Sequence, residues 1–192
     1  QGPKGSLGGL RRRRLPSAVG TMAARTGEAG RAAAPGGGVS AADLASAAHD
    51  FDFTYERPLD VEASNIQPEG WRMIARRVDT ALDDFDGIII TRGTDTMAYT
   101  AAALSFMLQN LDKSVVLTGS QLPITNPLSD GRTNLYTAID AVAQGITGVS
   151  VAFDRRSIHG TRAVKTSTMG YDASESVDAE YLARVLADGT RL

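Results

Sequence analysis

The sequence predicts an α/β fold, a doubly wound parallel sheet. Two short apolar runs, 87–91 (Gly-Ile-Ile-Ile-Thr) and 114–118 (Ser-Val-Val-Leu-Thr), have the length and continuity of strands buried on both faces. Segments with apolar residues at helical spacing lie around and between them. Buried strands alternating with amphipathic helices assemble into parallel sheets covered by helices.

Taken in order, 40–44 (Ser-Ala-Ala-Asp-Leu) suggests a serine-capped short helix, and 51–55 alternates apolar and polar residues as a half-buried strand does. Trp71, Ile74, Ala75, Val78 and Leu82 recur at helical spacing behind Pro68, a favourable residue in a first helical turn. After the 87–91 strand, Met97, Ala101, Leu104, Leu108 and Leu111 mark a second helix. Beyond the 114–118 strand, Leu135, Ala138, Ile139 and Val142 mark a third helix, and 149–153 a further strand.

Composition narrows the function classes. The 192 residues suffice for one well-packed domain, with 42% hydrophobic and 22% charged residues. No apolar stretch approaches the ~20 residues of a membrane span. Zero cysteines exclude disulfides and thiolate metal sites, and two histidines leave little room for zinc. The formal charge of −2 is a sum of unlike parts: +6 over residues 1–40 and −8 over 41–192. Gly, Ala, Pro and Arg fill 26 of the first forty positions, without apolar periodicity, so most of this head is expected to be disordered. Its run Arg11–Arg14 suits either a solvated tail or contact with an anionic surface. The stretch 15–20 is too short, and broken by Pro16, for the apolar core of an export signal.

In parallel sheets ligands bind beyond the carboxyl ends of the strands. Three polar loops follow expected strands: 92–96 (Arg-Gly-Thr-Asp-Thr), 119–121 (Gly-Ser-Gln) and 155–165. Gly93 allows a tight turn, while Thr94, Asp95 and Thr96 place hydroxyls and a carboxylate beside free N–H groups. The same residues suit a plain helix cap. No phosphate-binding glycine pattern lies between a strand and a helix, and Gly119-Ser120 lacks the second glycine of a nucleophile elbow. His49 and His159 read as surface or structurally satisfied histidines. Nucleophilic chemistry here would use Thr or Ser, with a partly desolvated lysine as proton acceptor and an acid to hold it.

Four segments carry a resemblance. Residues 89–101 (Ile-Ile-Thr-Arg-Gly-Thr-Asp-Thr-Met-Ala-Tyr-Thr-Ala) resemble the second signature of the bacterial-type L-asparaginase family. Residues 115–123, with Ser129-Asp130-Gly131-Arg132 and Asn134-Leu135, are similar to the segment that follows it. Residues 162–166 (Arg-Ala-Val-Lys-Thr) resemble the family's lysine segment, and 64–71 its substrate-carboxylate loop. The type I, cytoplasmic branch is the nearest in pattern, over about residues 20–184. The resemblance implies a flavodoxin-like N-terminal domain, no cofactor, no metal, a cytoplasmic setting and hydrolysis of L-asparagine to L-aspartate and ammonia through a threonine nucleophile. It assigns catalytic roles to Thr21, Thr94, Asp95 and Lys165, and substrate binding to Ser64, Asn65 and Gly93. Partners would be the small amide substrate and other copies of the chain, with no membrane or nucleic acid.

Departures from that pattern shape further expectations. The family's opening apolar strand runs into Thr-Gly-Gly-Thr-Ile; here 18–23 reads Ala-Val-Gly-Thr-Met-Ala, and 7–17 is too basic and glycine-rich to supply that strand. The family's lid tyrosine has no counterpart between Thr21 and Phe51, and Arg92 stands where a histidine is usual. The expected organisation is an aberrant basic segment over 1–19, the asparaginase-like domain over 20–184, and the start of an interdomain linker over 185–192, with the smaller C-terminal domain lacking. Two other readings fit the same motifs. One is a non-catalytic, vestigial asparaginase-like domain; the other is the amide-releasing subunit of a tRNA-dependent amidotransferase, which the acidic body disfavours.

Overall fold

The computed structural model describes residues 66–192 throughout and, ahead of them, only the backbone of four strands. These are β1 (Ser6–Arg12), β2 (Ala23–Thr26), β3 (Ala33–Gly38) and β4 (Phe51–Glu56). Thr21, Ser64, Asn65, His49 and the helix expected at 40–44 lie outside the described residues.

Helix α1 (Pro68–Leu82) begins with proline in its first turn, where the missing N–H costs nothing. Its buried residues Gly70, Ile74, Ala75, Val78 and Leu82 form the stripe expected from spacing. Strand β5 (Gly87–Thr91) follows and is buried along its whole length. Next come helix α2 (Met97–Met107), the fully buried strand β6 (Ser114–Thr118), helix α3 (Gly131–Ala143) and strand β7 (Gly148–Phe153). Helix α2 stops short of its expected length: the chain is extended at Leu108 (φ −105°, ψ 90°), and Asn110 takes a left-handed φ of 57°.

Strands β5, β6 and β7 pair in parallel, Ile88 beside Val115 and Val115 beside Val149. Alternation then sorts their side chains. Ile88, Ile90, Val115, Leu117, Val149, Val151 and Phe153 pack with α1 and α2 in one core layer. Ile89, Val116 and Ala152 point the other way, onto Leu135, Ala138, Ile139 and Val142 of α3. Helices thus cover both faces, and continuous apolar runs are what such strands need. The three strands advance across the sheet in one direction while α2 and α3 lie on opposite faces. Their two crossovers therefore have opposite hands, and one is left-handed, against the strong general preference.

The sheet is mixed beyond this parallel centre. Its order is β12-β11-β8-β7-β6-β5-β1-β4, where β8 is Arg156–His159, β11 Ala183–Leu186 and β12 Gly189–Arg191. Residues 155–165, expected as a loop, instead contain β8 and β9 (Ala163–Lys165), the latter paired with β10 (Ser174–Ser176) in a separate ribbon. Strands of three or four residues are too short to show a period.

The expectation that most of residues 1–40 are disordered is corrected over part of that range, although the strand found there is not the family's apolar opening strand. Ser6–Arg12 lies between β5 and β4, with Leu7 beside Ile90 and Leu10 beside Gly87. It runs antiparallel to both neighbours, unlike an opening parallel strand. Ala23–Thr26 and Ala33–Gly38 likewise pair as a two-stranded ribbon where disorder was expected. An inner strand such as β5 needs partners for its N–H and C=O groups on both sides. A Gly-rich segment can supply them through its backbone without the side-chain pattern that sequence reading detects.

Candidate functional site

The site gathers at the carboxyl ends of β5 and β6. Beyond Thr91, Gly93 is extended (φ −61°, ψ 144°), a conformation open to any residue, so the glycine is not required there by backbone twist. Residues Thr94–Thr96 then form a single 3-10 turn leading into α2. No side-chain cap bond forms at the start of either element, so the cap reading of Thr94 and Asp95 does not hold. Their polar groups face elsewhere.

Lys165 Nζ donates to Thr94 Oγ1 at 2.9 Å and to Asp95 Oδ1 at 2.5 Å. The lysine side chain keeps only 17% of its exposure, whereas Asp95 keeps 77%. The lysine nitrogen is thus sheltered and the carboxylate open to solvent. Thr94 Oγ1 in turn donates to Gln121 Oε1 at 2.9 Å, and Gln121 Nε2 donates to the Gly170 carbonyl at 3.0 Å. Three segments distant in sequence therefore meet on one hydroxyl.

The loop after β6 is fixed from beneath. Buried Asp130 accepts the Gln121 N–H on both carboxylate oxygens at 3.0 Å and the Leu122 N–H at 3.2 Å. Buried Asn134 donates to Asp130 Oδ2 and to the Gly119 carbonyl, both at 2.9 Å, and accepts the Asp154 N–H at 2.9 Å. Gly119 is required by close approach: a Cβ there would sit 2.2 Å from the Arg92 carbonyl oxygen. Arg92 itself is buried, and its guanidinium donates to Thr96 Oγ1 at 2.7 Å. Burial pushes its pKa down to about 10, so it still carries charge at neutral pH.

Of the residues singled out from sequence, the structure brings Thr94, Asp95 and Lys165 into hydrogen-bond contact and places Gly93 one residue before them. His159 is exposed, its Nδ1 2.9 Å from Thr161 Oγ1, and stands apart from these contacts. The role of Gln121 was not read from sequence, although its loop was singled out by position after a buried strand. Asp130 and Asn134 belonged to a recognised motif, but their task of holding that loop needed the tertiary structure.

Comparisons with known proteins show the family. The family described as asparaginase, N-terminal, matches residues 16–192. The chain is 47% identical over 130 residues to the L-asparaginase of Thermococcus kodakarensis, an overlap covering 68% of this chain and 40% of that protein. It is 44% identical over 128 residues to L-asparaginase 1 of Escherichia coli K12, covering 66% of this chain and 38% of that protein. The solved structure of the thermostable L-asparaginase from Thermococcus kodakarensis superimposes with a TM-score of 0.71 at 39% identity, covering 91% of this chain and 53% of that one. The chain thus spans well under two thirds of these relatives' lengths. With a family match over residues 16–192, along nearly its whole length, this chain belongs to the bacterial-type L-asparaginase family, in its N-terminal domain.

Proposed function

We propose that this domain hydrolyses the side-chain amide of L-asparagine to give L-aspartate and ammonia. The observation that carries the reading is the contact of Lys165 Nζ with both Thr94 Oγ1 and Asp95 Oδ1. A neutral lysine amine accepts the threonine proton as the oxygen attacks the amide carbonyl carbon. Asp95 orients the amine and stabilises the ammonium that forms. The leaving nitrogen takes that proton and departs as ammonia, and water then cleaves the threonine ester to release L-aspartate. Backbone N–H groups near Thr94 supply donors for the developing oxyanion. Thr21 is the second hydroxyl assigned to this chemistry, with Ser64 and Asn65 holding the amino acid's charged groups. A cytoplasmic setting and assembly of several copies belong to the same reading; among the described residues, no helix is long and apolar enough to cross a membrane.

The test is ammonia release from L-asparagine by the 192-residue chain beside its Asp95→Ala variant. A clear excess for the unaltered chain supports hydrolysis. Equal rates would leave the vestigial, non-catalytic domain as the correct reading.

A further inference from the structure

The lysine on which this reading rests sits on weak support. Strand β9 and its partner β10 are three residues each, pairing Lys165 with Ser174, Val164 with Glu175 and Ala163 with Ser176. A two-stranded ribbon of this size is not stable alone. It also stands outside the eight-stranded sheet. Buried Ala173 and the Thr166 N–H bond to the Ala173 carbonyl (2.8 Å) hold its loop end, and the Val177 N–H bond to the Arg162 carbonyl (2.9 Å) holds its open end. Apart from its pairing with Val164, none of these contacts reaches Glu175, and none ties it to the main sheet.

A side-chain clasp does. Arg156, on β8 of the main sheet, reaches across to Glu175 Oε1 at 2.5 Å, while its other terminal nitrogen bonds Asp154 Oδ2 at 3.1 Å. Tyr181 donates its hydroxyl to Glu175 Oε2 and accepts from Arg156 at 3.2 Å. The Tyr181 ring is flanked by two cations, Arg184 at 4.5 Å and Arg156 at 5.4 Å from its centroid. A planar guanidinium, a carboxylate and a phenol thus close a ring of hydrogen bonds between the sheet and the ribbon. The Tyr181 hydrogen bond, followed by that of Arg156, holds the Glu175 carboxyl below its ordinary range.

We propose that Glu175, gripped by Arg156 and Tyr181, is a positioning residue that sets the ribbon's register against the sheet and so places Lys165 Nζ on Thr94 and Asp95. The role rests on the reading of Lys165 as proton acceptor, but the placement itself is a matter of geometry.

Two readouts keep these apart. The first is the rate at which an amine-acylating reagent labels Lys165 in the full chain, followed by mass spectrometry with Lys113 as internal reference. Lys113 is held separately, on the Leu82 carbonyl. In Glu175→Gln, and independently in Tyr181→Phe, Lys165 labelling rises about fivefold while Lys113 is unchanged; the factor is discounted for partial exposure. The second readout is amide hydrolysis: kcat falls by a similar factor with KM unmoved, because the substrate's own contacts are intact. The surface-pair variant Arg191→Gln moves neither readout. Unchanged Lys165 labelling in both clasp variants overturns the proposal, as does a parallel rise at Lys113, which marks general loosening. A chain that hydrolyses no more asparagine than Lys165→Ala overturns the proposed function, while the labelling experiment still decides the clasp.

Discussion

Lys165 and Thr94 are 71 residues apart in the chain and joined by a 2.9 Å hydrogen bond between Nζ and Oγ1. The bond links a two-stranded ribbon to the turn that closes β5, so chemistry at this hydroxyl depends on both elements.

If Lys165 works as a proton acceptor, its charge alone is not enough. Lys165→Arg keeps a cation near Asp95 but cannot take a proton, because a guanidinium does not deprotonate at neutral pH. We expect both Lys165→Arg and Lys165→Ala to lose ~10²–10⁴ in the rate of ammonia release, the worth of a positioned proton transfer. An Arg variant retaining most activity would assign the lysine an electrostatic role only.

Gly119→Ala forces a methyl group to within 2.2 Å of the Arg92 carbonyl, two residues before Thr94. Overpacking against backbone costs about 1–3 kcal/mol. A urea unfolding curve should show that loss, with a fall in hydrolysis as the Thr94 turn shifts. A variant of native stability would mean that the two loops separate easily.

Removing the Asp130 carboxylate strands the Gln121 and Leu122 N–H groups and one Asn134 amide proton. A buried donor left unsatisfied, as at Asn134, costs about 1–3 kcal/mol, and the part-buried Gln121 and Leu122 donors cost less. Asp130→Ala should therefore unfold at lower denaturant, with Asp130→Asn in between because it keeps one acceptor. Amide hydrogen exchange at Gln121 should quicken in both; protection equal to wild type would show that the loop is held by other contacts.

The Glu175 clasp makes a signed prediction for pH. Its carboxyl is depressed by the Tyr181 hydrogen bond first and by Arg156 next, with Arg184 adding a favourable charge. Burial and the bond to Glu175 push the Tyr181 hydroxyl upward, and Arg156 rises despite its burial because Glu175 and Tyr181 favour the cation. A depressed carboxyl stabilises the fold above its unfolded value, about 4.3, and that contribution disappears as pH falls through the folded value. The stability gap between wild type and Glu175→Gln should stay constant from pH 7 to 5 and close only in more acidic solution. A gap that closes near neutrality would point to a different group.

The parallel centre of the fold was legible because its residues report their surroundings. Three consecutive isoleucines in β5 need apolar contact on both faces, and Ile88, Ile89 and Ile90 receive it from different helices. The stripe of α1 was equally plain. The shortest strands were not: β8, β9 and β10 have three or four residues each, include Arg, Ser, Glu and Lys, and pair through backbone groups that every residue possesses. The same reason hid β1, whose leucines, glycines and arginines share no simple period.

For the site, the family resemblance of its motifs singled out Thr94, Asp95 and Lys165, where residue type alone left Lys165 a solvated lysine. By itself the sequence determined the strand–helix alternation, the buried faces and the family, because each is written in local pattern. Only the tertiary structure decided the opposite hands of the two crossovers, the reversed strand beside β5, the bridging amide of Gln121 and the clasp from Arg156 to Glu175. Each of these depends on which distant segments meet. Such meetings are settled by packing and hydrogen-bond satisfaction over the whole domain, and no local window of residues encodes them.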